Sequence, residues 1–301
     1  MVTRAYGKFF DVRLDGQQRS LLCTTRGTLR RHKRRTDLVA VGDRVWVTDV
    51  GEEEGQIEAI APRTRVLARL ARHTEDVEQV VLANPDQALF LFSWREPEPH
   101  TRMLDRFLVL AESRGLPAMV GISKVDLDPN GHAEIRAFFA DYPAIYPTLL
   151  MSIHTGEGLD ELRQLLAGKI TVVAGPSGAG KSSLLNALDP GKKRLVGEIS
   201  EATGKGRHTT TATVLYEIEP GTFVADTPGI RALALHGVDN ADLPACFPEM
   251  RPYLGNCFYS DCRHVTEPSC AVLAALAAGK ISENRYQSYR ALLVRDVPTD
   301  D

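Results

Sequence analysis

The chain has 301 residues, 43% of them apolar and 25% charged, with a formal net charge of -3. That is the composition of a soluble globular protein long enough for two or three domains, and its charge argues neither for nor against a polyanionic partner. No apolar run reaches the eighteen or so residues of a membrane span, and residues 1–10 lack the apolar core of a secretion signal, so a cytoplasmic chain with no membrane partner is expected.

The average conceals an asymmetry: up to Arg72 there are 15 Lys and Arg against 9 Asp and Glu, so the amino-terminal part is basic. Over residues 7–69, short alternating stretches such as Arg44-Val45-Trp46-Val47-Thr48 and Gln56-Ile57-Glu58-Ala59-Ile60 lie between turn residues, which predicts an all-β barrel or sandwich. Within it, Arg30-Arg31-His32-Lys33-Arg34-Arg35 would occupy a loop of the kind that binds nucleic acid in small barrels, or else a solvated basic loop.

From Gln87 apolar runs alternate with amphipathic segments, the pattern of a parallel sheet covered by helices. Strands are predicted at 88–92, 118–122, 148–151, 170–174, 214–218 and 223–225, and helices at 102–113 and 159–166. Leu104, Phe107, Leu108 and Ala111 fall on one helix face and read as core. After Gly229 the alternation fades, and a helical stretch over 281–294 precedes an acidic tail.

Ser123-Lys124-Val125-Asp126 ends the strand at 118–122 and is similar to the guanine-reading Asn/Thr-Lys-x-Asp motif. An ionised Asp126 can accept from both N1–H and the exocyclic amine of guanine, a donor pair that adenine lacks. The Lys124 stem can pack over the base. Ser123 stands where Asn is usual and supplies only a hydroxyl, and taken alone the tetrapeptide could equally be a surface turn. The next strand ends in Ser152-Ile153-His154-Thr155-Gly156, where a GTPase places its Ser-Ala-Lys type loop. Here Ile153 replaces the usual Ala.

The strand at 170–174 then runs into Gly175-Pro176-Ser177-Gly178-Ala179-Gly180-Lys181-Ser182, and a helix is predicted from Ser183 to Leu188. This is a phosphate-binding loop in its required setting. Backbone N–H groups and the helix N-terminus face phosphate oxygens, Lys181 reaches the outer phosphates, and the Ser182 hydroxyl can ligate Mg²⁺. Asp226-Thr227-Pro228-Gly229 follows an apolar strand, which puts Asp226 at a strand end to hold Mg²⁺ and the Gly229 amide near a γ-phosphate. Between them lies Gly206-Arg207-His208-Thr209-Thr210-Thr211, whose threonines could complete the Mg²⁺ shell, with the choice among them open and a β-prone strand start as the alternative. Ile230 occupies the position where many GTPases carry a water-orienting Gln, so slow unassisted hydrolysis is expected; His208 is the in-chain candidate for that role, or else a residue that contacts only RNA or the switch backbone. The catalytic set is thus Lys181, Ser182, Asp226, Gly229 and His208.

Five cysteines are present, of which Cys23 and Cys246 read as ordinary partly buried thiols. Cys257, Cys262 and Cys270 crowd with His264 in the spacing C-x₄-C-x-H-x₅-C, a full tetrahedral set for structural Zn²⁺ with no position left for catalytic water.

Base loops ahead of the phosphate loop reverse the ordinary GTPase order, so the domain is circularly permuted; loops at the carboxyl edge of one sheet tolerate such rejoining. This order and the flanking modules resemble the RsgA family of circularly permuted GTPases, which act in small ribosomal subunit maturation. The resemblance extends to Val41-Gly42-Asp43-Arg44-Val45, Ala83-Asn84-Pro85-Asp86-Gln87 and Leu104-Asp105-Arg106-Phe107-Leu108, and it covers nearly the whole chain. It implies an OB-fold over 1–72, an α/β P-loop GTPase domain over 73–235 and a small zinc domain with a carboxyl-terminal helix over 236–301. It also implies GTP/GDP, Mg²⁺ and Zn²⁺ as ligands, and a monomer whose weak hydrolysis is stimulated by the small ribosomal subunit and its rRNA. Two rivals compete: an ATP-using P-loop enzyme, which has no further support in the sequence, and an RNA-binding adaptor with little turnover, against which Lys181, Ser182 and Asp226 weigh.

Overall fold

Alternating burial builds five strands at the amino terminus: β1 (Val2–Tyr6), β2 (Phe9–Arg13), β3 (Ser20–Thr25), β4 (Val45–Asp49) and β5 (Glu54–Ile60). They are ordered β1-β2-β3-β5-β4, with β3 and β5 parallel and the other pairs antiparallel. Val2 N–H donates to Asp43 O at 2.9 Å and Gly42 N–H to Val2 O at 2.8 Å, bringing the residues ahead of β4 back onto β1 and curling the sheet into an OB-type barrel. Val2, Phe10, Val12, Leu21, Cys23 and Ile57 fill its interior. β1 begins before the predicted all-β stretch, because polar Thr3 and Arg4 interrupt the apolar pattern.

The computed structural model describes residues 1–17, 19–27, 37–70, 78–189, 213–226 and 238–294. They fall into two units, one of Met1–Ala88, Asp160–Ala174 and Lys181–Ala234, the other of Leu89–Leu159, Gly175–Gly180 and Leu235–Asp301.

In the first unit the barrel leads through the antiparallel pair β6 (Val66–Leu70) and β7 (Glu78–Ala83) to a polar junction. A Cβ on Gly42 would lie 2.0 Å from Ala83 O, so only glycine lets these segments meet. Asn84 accepts from Thr64 N at 2.8 Å and donates to Gly42 O at 3.0 Å, while the Asp86 carboxylate accepts from Ile170 N at 2.8 Å. Gln87 donates to Leu165 O and Thr171 Oγ1. Buried Asp43 binds Arg63 through both carboxylate oxygens. The barrel and junction motifs therefore hold architecture. This unit continues with α3 (Leu159–Leu166), β11 (Ile170–Ala174), α4 (Lys181–Leu188), β12 (Val214–Glu219) and β13 (Thr222–Asp226). β11 and β13 are parallel, but β12 runs antiparallel to β13, because the short Pro220-Gly221 connection, with Gly221 at φ 75°, permits only a hairpin.

The second unit holds most of β8 (Gln87–Ser93), then α1 (Thr101–Ser113), β9 (Ala118–Ser123), α2 (Ala133–Phe138) and β10 (Thr148–Leu150), in the strand order β10-β9-β8 with β9 and β10 parallel. Every residue of β8 is buried, as expected of a strand covered on both faces. The same unit carries 3-10 turns at Leu243–Cys246 and Arg251–Tyr253, α5 (Ala271–Ala277) and α6 (Glu283–Leu293). α1 buries Leu104, Phe107, Leu108 and Ala111, and also Asp105. Arg285 of α6, 1% exposed, donates to Asp105 at 2.5 Å and to Glu249 at 2.7 Å, and Tyr142 adds a bond to Asp105 at 2.9 Å. Burial alone would lower the Arg285 pKa, but Asp105 and Glu249 raise it, so the guanidinium stays charged. Among the described residues, no helix is long and apolar enough to cross a membrane.

Candidate active site

The chain leaves fully buried β11, makes the loop 175–180 and enters α4 at Lys181, two residues earlier than the predicted helix start. Its glycines are dictated by space and backbone. Gly175 sits at φ 152° with a virtual Cβ 1.9 Å from Leu91 O, Gly178 at φ 78° with one 3.0 Å from Pro97 Cδ, and Gly180 at φ 87°. Ala179 is buried, whereas Ser177 and Gly178 are exposed, and Pro176, Lys181, Ser182 and Ser183 are partly exposed. The N-terminus of a helix that follows such a loop suits phosphate. Asp226 ends β13 in register with Val173 of β11, two residues before Gly175.

The residues expected to read the base belong to the second unit. Lys124 adopts φ 58° and starts a 3-10 turn over Val125–Leu127, which leaves Asp126 exposed in the first turn. Val125 is buried and donates its N–H to Met151 O at 3.3 Å, joining this turn to the end of β10. Ser123 donates its hydroxyl to Ala179 O at 2.7 Å. Ser152 is buried and its hydroxyl accepts from His154 N and Thr155 N at 3.1 and 3.2 Å, which shapes the loop on which Ile153 stands 40% exposed. His132 Nε2 meets both Glu157 oxygens at 3.0 and 3.1 Å, a second tie on the same loop.

One segment beside these residues belongs to none of the sequence motifs. Residues 93–97, following β8, pack beside the loop 175–180 and the turn at 124–127: Trp94 N donates to Ser123 O at 2.9 Å, Lys124 donates to Glu96 O, and Pro97 lies against Gly178. Its only sequence signal is Glu96-Pro97-Glu98-Pro99 directly after an apolar strand. His208, Thr209, Thr210 and Gly229, and the basic run at 30–35, lie outside the described residues.

Cys257, Cys262, His264 and Cys270 converge so that their ligand atoms all lie within 4.8 Å of one another. Cys257 Sγ lies 3.8 Å from Cys270 Sγ and 3.5 Å from His264 Nδ1. A tetrahedral ion with metal–sulfur bonds of about 2.3 Å spaces its sulfurs about 3.8 Å apart, so the donor set fits such an ion. Burial lowers the His264 pKa and favours the neutral, ligating imidazole. Tyr286 and Tyr289 of α6 donate to His264 O and Arg263 O at 2.8 and 2.6 Å, fixing the ligand loop. Cys23 and Cys246 are buried and apart, and burial pushes both thiols up to about 11.

Phosphate loop, guanine-type turn and terminal Asp226, carried in that permuted order on strand ends, define a circularly permuted P-loop GTPase. The RsgA GTPase family model matches residues 60–236. The chain belongs to the RsgA GTPase family. It is 46% identical over 268 residues to the small ribosomal subunit biogenesis GTPase RsgA of Gemmatimonas aurantiaca, covering 88% of this chain and 86% of the relative. The Moorella thermoacetica protein of the same description is 40% identical over 290 residues, 96% and 94% of the two chains. The crystal structure of YjeQ from Thermotoga maritima superposes with a TM-score of 0.80 at 34% identity, covering 98% of this chain and 96% of that one. YloQ, described as a circularly permuted GTPase, gives 0.74 at 29% identity, covering 98% and 93%.

Proposed function

We propose that this chain hydrolyses GTP to GDP and phosphate in the maturation of the small ribosomal subunit, is stimulated by that subunit, and works as a cytoplasmic monomer. The observation that carries the reading is the pairing of Asp126, exposed on a fixed turn, with an intact phosphate loop, in a chain 46% identical to a small ribosomal subunit biogenesis GTPase. In this reading Asp126 selects guanine, Lys124 packs on the base, and Ser123, Ser152 and Ile153 shape the base pocket. Backbone N–H groups of 175–183 and the Lys181 ammonium bind the phosphates, while Ser182, Asp226 and a threonine of the 209–210 pair hold Mg²⁺. Mg²⁺, when bound, neutralises charge developing on the β- and γ-oxygens. The Gly229 amide meets the γ-phosphate, and His208 orients the attacking water.

The domains 1–72, 73–235 and 236–301 would then serve rRNA binding, hydrolysis and zinc-stabilised docking. Zn²⁺ at the three cysteines and His264 is structural, because four protein ligands leave no place for a reacting water. Purified protein should hydrolyse GTP in preference to ATP, slowly alone and faster with small ribosomal subunits. Equal use of ATP would overturn the base assignment, and absence of stimulation would overturn the ribosomal one.

A further inference from the structure

The loop that follows β10 uses nearly all of its backbone donors on itself. Ser152 N–H donates to Glu157 O at 3.1 Å, Gly156 N–H to Ser152 O at 3.0 Å, and Glu157 N–H to Thr155 Oγ1 at 3.4 Å, while the N–H groups of His154 and Thr155 both reach Ser152 Oγ. Over 152–157 the Ile153 N–H alone has no partner among the described residues, and Ile153 is 40% exposed. A backbone donor left open in this way suits an acceptor, and guanine offers O6 next to the N1–H that Asp126 is expected to accept.

The internal bonds fix the shape of this loop but not its position relative to the turn at 125–127. Its start is held by backbone, because Met151 N–H donates to Ile122 O at 2.8 Å and Val125 N–H to Met151 O at 3.3 Å. Its far end is tied to the segment after that turn by a side chain: His132 Nε2 meets both Glu157 oxygens at 3.0 and 3.1 Å. A carboxylate only accepts, so a proton sits on Nε2, and the buried Nδ1 has no partner among the described residues. The His132 side chain is 18% exposed, so the contact is less screened than a pair at the open surface. His132 also holds a left-handed backbone, φ 70°, which Gly or Asn adopts with less strain. We propose that His132 is a positioning residue for base recognition: by holding Glu157 it sets where the Ile153 N–H stands relative to Asp126. The inference rests on the base pocket proposed above and adds to it the residue that aligns its two halves.

Nucleotide binding by the full chain tests this. His132→Asn tolerates the backbone but is too short to reach Glu157, and should weaken GTP and GDP about three- to tenfold, the worth of a partly shielded charged hydrogen bond, with turnover at saturating GTP unchanged. Glu157→Ala, a change at the more exposed partner, should give the same loss, and the double variant no more than either alone. His132→Gln, long enough to donate to the carboxylate, should restore affinity. 6-Thioguanosine triphosphate keeps N1–H and the exocyclic amine but offers sulfur, a weak acceptor, in place of O6, so His132→Asn should weaken it less than GTP. Additive losses in the double variant, equal losses for the two nucleotides, or no restoration by Gln would overturn the proposal. Wild-type protein that binds GTP and the 6-thio nucleotide equally would instead remove the base-pocket reading on which it rests.

Discussion

Ser123 donates its hydroxyl to the backbone carbonyl of Ala179 at 2.7 Å, which fastens the turn expected to read the base to the loop expected to hold phosphate. A serine is too short to reach far, and here it need not, because Trp94 N holds the Ser123 carbonyl at 2.9 Å and keeps the turn close. Removing the hydroxyl leaves Ala179 O short of a donor, a loss of about 0.5–1.5 kcal/mol. Ser123→Ala should therefore weaken GTP and GDP binding by roughly 2- to 10-fold, with unchanged turnover at saturation. Equilibrium titration with both nucleotides would check it, and identical affinities would mean that the tether does not order the site.

Asp126 sits in the first turn after Lys124, exposed on a backbone held by Val125. Replacing its carboxylate by an amide removes one acceptor for guanine and offers a donor to the xanthine oxygen. Asp126→Asn should lower GTP affinity by two orders of magnitude or so, on the scale of a charged bidentate contact, and improve xanthosine triphosphate relative to GTP. Competition binding with the two nucleotides measures this, and an unaltered preference for GTP would place base reading elsewhere.

Local chemistry made the phosphate loop, the apolar strands and the cysteine spacing legible, since each is written within a dozen or so consecutive residues. β11 keeps its predicted bounds, and α1 and α6 start or end within two residues of theirs. What escaped depends on tertiary proximity. Residues 93–97 matter because Pro97 meets Gly178, some 80 positions away, and Asp105 matters because Arg285 reaches it across 180. Asp105 lies in a stretch that marks the family, yet no periodicity distinguishes a buried acid awaiting a distant arginine from a solvated one.

Arg285 and Asp105 are each 1% exposed, so Arg285→Met would leave Asp105 and Glu249 buried without their cation. Breaking a buried pair from one side costs about 3–5 kcal/mol. Denaturant unfolding should show a loss of that size in the transition that reports the zinc segment. A loss under about 1 kcal/mol would mean that water or another cation replaces the guanidinium.

Metal removal should separate the two chemistries of the chain. A chelator, or Cys262→Ala, should loosen the segment around α5 and α6, because Cys270 also caps α5 by accepting from Leu273 N at 3.4 Å. Intrinsic GTP hydrolysis should remain within about twofold, since a structural site contributes folding energy and not reacting groups. Metal analysis giving about one zinc per chain before treatment, with hydrogen exchange in α5 and α6 rising after it, would bear this out. Protein isolated without zinc yet fully protected there would contradict it.

Ile230 follows Gly229 and cannot hydrogen-bond a water nucleophile, so unassisted turnover should be slow, on the order of 10⁻³ s⁻¹ or below. Subunit stimulation then requires a polar group brought to that water. In the sequence His208 precedes Thr209 and Thr210, the pair expected to reach Mg²⁺, and a neutral imidazole can accept a hydrogen bond from water near neutral pH. His208→Ala should keep GTP affinity and subunit association but lose 10²- to 10⁴-fold of the stimulated turnover, the usual worth of a positioned acid–base group. His208→Gln, which can still accept a hydrogen bond without taking a proton, separates orientation from proton transfer: retained activity would assign His208 to holding the water. Full stimulation of the alanine variant at saturating subunits would transfer the role to the ribosome or to another residue of the 206–211 segment.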